Sequence, residues 1–314
     1  MRFADINMNK KAIVNIALSL CFALSMPFAG ATKVEAKASA THWSSTIKVP
    51  HRSWLPENKP KRILLCVHGL GFSSESFNDF GHRMAAKGLA VYAVDVRGFG
   101  AWMKSRGDKS LCDFEACLVD IENALKNIRK AYPGTQVYLV GESMGGAIAL
   151  RATSRYPALV DGLISSVPSN ERYANLSENL RVGTRYVVAK DEKINIAPIV
   201  VKHATQDPKL QKTWAAEKTN RMEMTPKELK QFNDFMKGNY DAAALIEKVP
   251  VLMLAGFKDK LVKPEGTIEL FNDVTCPNKT LFVIGDSEHL LLEENQFTEQ
   301  MAQFMMTWIN TCHD

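Results

Sequence analysis

The chain has 314 residues, 46% of them hydrophobic and 23% charged, the usage of an ordinary globular protein long enough to bury a full core. Its formal net charge is +5, and Arg2, Lys10 and Lys11 against Asp5 already account for +2 near the N-terminus. No Lys/Arg block supplies the clustered basic face that nucleic acid requires, so the balance argues against a nucleic-acid partner.

The first element in chain order is an export signal over residues 1–31. Lys10 and Lys11 form its positive start, an apolar run follows, and Ala29-Gly30-Ala31 gives the small-x-small pattern of a cleavage site. Met8 is an alternative start. Cys21 follows Leu20 rather than a small residue, which argues against a lipoprotein site. The mature chain is therefore expected outside the cytoplasm, periplasmic or secreted. Five cysteines remain: Cys66, Cys112, Cys117, Cys276 and Cys312. Export permits disulfides, and Cys112 with Cys117, or Cys276 with Cys312, are open pairings. No His/Cys spacing resembles a zinc site.

After a lead-in at residues 32–44, apolar runs alternate with helical patterns. Residues 62–68 and 89–95 are continuous apolar runs of the kind that form buried parallel strands. Residues 77–87 predict a helix between them. A helix over 114–132 precedes a strand over 136–140, and a helix over 144–156 precedes a strand within 159–167. The rhythm then breaks. Residues 168–248 are rich in Lys, Glu, Asn and Thr, with Leu229, Phe232, Phe235 and Met236 at helical spacing. This stretch reads as a helical lid inserted before the last two strands, 251–255 and 280–284. Helices over 265–271 and 296–310 complete the series. The expectation is a doubly wound, mostly parallel α/β sheet, its core formed by residues 32–167 and 249–314, with its site at the carboxyl ends of the strands.

Gly141-Glu142-Ser143-Met144-Gly145-Gly146 follows a predicted strand and opens a predicted helix, the context that a Gly-x-Ser-x-Gly nucleophile elbow demands. A serine hydroxyl needs a base, and in this motif's fold an acid and then a histidine follow it in sequence. Asp259 lies just after strand 251–255 and His289 just after strand 280–284, so the expected catalytic residues are Ser143, Asp259 and His289. Asp286 is the rival acid, read as a turn residue because it lies so close to His289. The backbone N–H groups of Leu70 and Met144 are the expected oxyanion-hole donors. Asp95 and Arg97 are expected to pin their own loop. The roles of Glu142 and Glu288 stay open, their side chains expected to point away from the site.

His68-Gly69, Asp95-x-Arg97-Gly98-x-Gly100, the Ser143 elbow, Gly256-x-x-Asp259 and His289 together resemble, in order, serine hydrolases of the α/β-hydrolase fold that include monoacylglycerol lipases and lysophospholipases (a serine aminopeptidase S33-like family). The resemblance covers roughly Lys61 to Ile309. It implies hydrolysis of small-molecule or lipid carboxylic esters, no metal or organic cofactor, and room for transient contact with a membrane surface. The Ser-Met-Gly-Gly form also resembles plant esterases acting on phenolic esters, and an export signal departs from the family's habit. A peptidase or acyltransferase of the same fold is the alternative. A non-catalytic binding protein on this scaffold is a further class, against which all three triad positions are filled. Oligomeric state is not legible.

Overall fold

The structure is a computed structural model, and it describes residues 49–103, 112–168, 172, 191–292 and 296–313. The expected export signal (residues 1–31), the expected lead-in and part of the 168–248 stretch lie outside the described residues.

Among these, seven strands form one sheet in the order β1–β3–β2–β4–β5–β8–β9. They are β1 (His51–Trp54), β2 (Arg62–Val67), β3 (Leu89–Val94), β4 (Val137–Glu142), β5 (Gly162–Ser166), β8 (Val251–Gly256) and β9 (Lys279–Ile284). All neighbours run parallel except β1, which pairs antiparallel with β3. The strands predicted from apolar runs are all present. β1 was not anticipated, and it caps the sheet edge beside β3.

β3, β4, β5 and β8 are buried throughout, because helices cover both faces. Alternation along each strand separates two apolar layers. Ile63, Leu65 and Val67 of β2 enter one layer, while Leu64 and Cys66 enter the other. Helices α2 (Phe114–Ala131) and α3 (Met144–Arg155) fill the first layer with Leu118, Ile121, Leu125 and Ile148. Helices α1 (Asn78–Ala86) and α9 (Glu299–Thr311) fill the second with Phe80, Met84, Met305 and Trp308. Gly81 lets α1 press onto β1, since a Cβ there would sit 2.3 Å from the Trp54 ring. Helix α8 (Pro264–Asp273) joins β8 to β9.

Between β5 and β8 lie α4 (Ala197–Ala204), α5 (Pro208–Ala216), α6 (Pro226–Lys237), α7 (Asn239–Ala244) and a two-residue ladder, β6 (Ile194–Asn195) with β7 (Glu223–Met224). Helix α6 is opened by a reciprocal cap between Thr225 and Glu228. Its apolar stripe docks on α2, with Phe235 stacked on Phe114 at 4.9 Å. Glu228 also forms a two-point ion pair with Arg221, at 2.8 and 2.9 Å.

Neither open disulfide pairing is made. Cys112 and Cys117 are separate buried thiols. Cys276 Sγ–H donates to the Asn278 carbonyl (3.7 Å), and Cys312 Sγ–H donates to the Ile309 carbonyl (3.8 Å). Among the described residues, no helix is long and apolar enough to cross a membrane.

Candidate active site

The turn from β4 into α3 is tight enough that two of its glycines have no room for a side chain. A Cβ at Gly141 would lie 2.1 Å from the Gly145 carbonyl oxygen. A Cβ at Gly145 would lie 1.9 Å from the Val67 carbonyl oxygen at the end of β2. Gly141 is therefore required by the elbow itself. Gly145 is required because α3 starts flush against the neighbouring strand rather than by crowding on the serine. Ser143 sits at the apex with φ 55° and ψ −116°, a strained geometry for a residue with a Cβ. Val167, just past β5, has φ 38°. The two are adjacent in space, since Ser143 N–H donates to the Ser166 carbonyl at 2.9 Å. Backbone strain thus gathers at the carboxyl ends of β4 and β5.

The three residues expected to act together are brought together, and all three are buried. Ser143 Oγ lies 2.8 Å from His289 Nε2, and His289 Nδ1 lies 2.7 Å from Asp259 Oδ2. Asp259 Oδ1 accepts backbone N–H bonds from Leu261 (2.7 Å) and Val262 (2.9 Å), which fix the carboxylate on its own turn. With Nδ1–H committed to Asp259, Nε2 is the ring atom free to take a proton from the serine. Asp286 is elsewhere. Its side chain is 92% exposed and pairs with Lys258 at 2.7 Å, so it has no part in orienting His289.

The loop after β2 lies over Ser143. A Cβ at Gly69 would be in contact with Ser143 Cβ at 3.5 Å. Phe72 N–H closes a turn onto the Gly69 carbonyl (3.2 Å), with Gly71 at φ 86° in the position where such a turn needs a left-handed residue. Leu70 occupies the turn's first central position and Met144 the first position of α3. Neither N–H donates a hydrogen bond among the described residues. His68 anchors the loop: Nδ1–H donates to the Gly69 carbonyl (2.8 Å) and Nε2 accepts from Val96 N–H (3.0 Å). Burial lowers its pKa, so the ring stays neutral and can accept that bond.

Asp95 pins its loop as expected, accepting from Ser74 N–H (2.8 Å) and Ala101 N–H (2.9 Å). Arg97 reaches away, clasping Asp120 on α2 with two bonds of 2.6 and 2.8 Å. Glu288 also turns from the serine. It accepts from Thr205 Oγ1 (2.6 Å) and Gln206 N–H (2.9 Å), while His289 N–H donates to the Ala204 carbonyl (3.3 Å). The insertion therefore grips the segment carrying His289. It also grips the loop after β2: Arg221 N–H donates to the Gly71 carbonyl (2.7 Å), and Trp214 meets Phe72 edge-on at 5.6 Å. Sequence patterning gave no sign of these ties, which join segments more than eighty residues apart.

This fold and this constellation define an α/β-hydrolase. The chain belongs to the serine aminopeptidase, S33, family, whose model matches residues 58–296. It is similar to monoglyceride lipase from Homo sapiens, at 24% identity over 82% of this chain and 86% of that one. Among solved structures it is similar to a monoacylglycerol lipase from Paleococcus ferrophilus, with TM-score 0.70, 21% identity and coverage of 84% of this chain and 99% of the other. A soluble variant of monoglyceride lipase from Saccharomyces cerevisiae, in complex with a substrate analogue, aligns with TM-score 0.73, 17% identity and coverage of 92% and 99%.

Proposed function

We propose that this carboxylic-ester hydrolase cleaves esters of monoacylglycerol or lysophospholipid type through an acyl-enzyme on Ser143. The observation that carries the reading is the continuous hydrogen-bonded line from Ser143 Oγ through the His289 ring to Asp259. His289 Nε2 takes the Ser143 proton as Oγ attacks the acyl carbonyl. The negative charge that develops on the carbonyl oxygen meets the uncommitted N–H groups of Leu70 and Met144. Collapse of the tetrahedral species breaks the ester bond, and His289 returns the proton to the departing alcohol. A water then attacks the acyl-enzyme, with His289 again accepting its proton, and the fatty acid leaves as Ser143 is restored. Asp259 holds the Nδ1–H tautomer and offsets the imidazolium charge throughout.

The names of the similar proteins support the single-chain lipid ester as substrate class, and the family's description makes an aminoacyl amide the competing one. Rates on monooleoylglycerol, lysophosphatidylcholine, p-nitrophenyl esters of rising chain length and an aminoacyl p-nitroanilide separate these. We expect turnover of the esters with an optimum at medium or long chains, and none of the anilide. Preference for the anilide would sink the ester reading. We also propose export with cleavage after Ala31, which rests on the N-terminal sequence pattern alone. N-terminal sequencing of the exported protein should begin at Thr32, and an intact Met1 or Met8 on the mature protein would contradict it.

A further inference from the structure

Side chains alternate along β4, so Tyr138, Val140 and Glu142 share one face. Tyr138 and Val140 lie in the apolar layer that also holds Leu291, Leu292 and Met305. Glu142 therefore sets a carboxyl, only 1% exposed, in a position where this layer otherwise takes hydrocarbon. Burying it is costly without compensating bonds. Its Oε1 accepts two: Ser166 Oγ at 3.0 Å, from β5, and Leu292 N–H at 2.9 Å. Its Oε2 has no partner among the described residues.

Leu292 lies three residues past His289. The bond from Glu142 fixes the chain just after the imidazole, and the His289 N–H bond to Ala204 fixes it at the imidazole's own residue. Glu142 also directly precedes Ser143, so one strand end carries the nucleophile and the anchor for its base.

We propose that Glu142 is a positioning residue, whose buried carboxyl ties the His289-bearing segment to the nucleophile's strand. The inference rests on the reading of Ser143 and His289 given above. Two titratable groups face it: Cys66 on β2 and His289, with Asp259 behind the imidazole. Cys66 stays a neutral thiol, because burial raises its pKa well above the usual value. Burial pushes Glu142 itself up to about 7, while the bonds from Leu292 and Ser166 and the His289 charge pull the other way.

Two substitutions test the tether, one keeping its acceptor and one removing it. Glu142→Gln keeps the oxygen acceptor and the shape but removes the charge. Glu142→Leu keeps the approximate volume but leaves Leu292 N–H and Ser166 Oγ–H without their acceptor. The measurement is kcat and kcat/KM from pH 5 to 9 on p-nitrophenyl butyrate. For Glu142→Gln, which keeps the oxygen acceptor for Leu292 N–H and Ser166 Oγ–H, we expect kcat and KM within about fivefold of wild type. For Glu142→Leu we expect kcat to fall on the order of 10–100-fold with KM nearly unchanged, the loss that a misplaced catalytic group causes. A folded Glu142→Leu protein whose kcat stays within about fivefold of wild type overturns the proposal. Should Glu142→Leu fail to fold, Glu142→Gln decides: a kcat lost by about tenfold or more with the oxygen acceptor kept overturns it. Ser143→Ala is run in parallel. Turnover that survives it overturns the triad reading itself. Turnover lost there, with Glu142→Leu folded and as active as wild type, overturns only the role of Glu142.

Discussion

Ser143→Ala is expected to lower kcat on a cleavable ester by about 10⁶, equivalent to about 8 kcal/mol of barrier, with little change in KM. In the proposed mechanism the substitution removes the one atom that forms the covalent bond and leaves the backbone donors in place. Residual rate above water is expected from those donors alone. Among the described residues Ser143 Oγ bonds only His289, so the thermal transition should stay within a few degrees of wild type. Asp259→Asn is a graded companion. It keeps the shape but offers Nδ1 the wrong partner, and a loss of about 10⁴ in kcat is expected from the disturbed tautomer. Steady-state kinetics on p-nitrophenyl esters measure both. A Ser143→Ala protein retaining a tenth of wild-type kcat would remove the nucleophile from the account.

Among the glycines described, Gly145→Ala should be the most damaging added methyl for stability. Its Cβ would stand 1.9 Å from the Val67 carbonyl oxygen and 2.7 Å from that of His68. Both atoms belong to backbone at the end of a central strand, so no side chain can rotate aside, and either α3 or β2 must move. A loss of about 3–5 kcal/mol is expected in urea unfolding, at the severe end for point substitutions. Activity should fall with it, because the same movement displaces Ser143. Gly285→Ala is the control. Nothing lies within 4 Å of a Cβ there, and the change should stay within about 0.5 kcal/mol. Equal losses at both positions would mean that the elbow is far more compliant than its contacts imply.

What the sequence made legible follows from the range of the forces involved. The buried strands were readable because parallel strands covered on both faces must be apolar end to end, as in the run from Leu89 to Val94. The elbow was readable because its glycines answer to contacts within and immediately beside one turn. Asp259 and His289 were readable because each follows a strand directly, and parallel strands bring their carboxyl ends to one edge. The strand His51–Trp54 was not, because its sequence is mixed and its existence depends on pairing with β3 some forty residues later. The partner of Arg97 was hidden for the same reason: Asp120 lies on a helix face that only the assembled sheet brings near. Glu142 and Glu288 are the sharpest cases. Each sits beside a residue of the hydrogen-bonded line, but their partners at Leu292 and at Thr205 and Gln206 are 150 and over eighty residues distant. Local pattern cannot encode such bonds, though a carboxylate placed in an otherwise apolar strand face was a signal that Glu142 had a partner to find.

The proposed role of Ser143 as carrier of the acyl group is open to direct titration. The direct measurement is titration of the active protein with a fluorophosphonate, followed by peptide mapping of the adduct. One equivalent of label is expected on the peptide containing Ser143, with loss of esterase activity in proportion to labelling and no labelling of Ser143→Ala. Inactivation with the label on another residue, or full activity with Ser143 labelled, would contradict it.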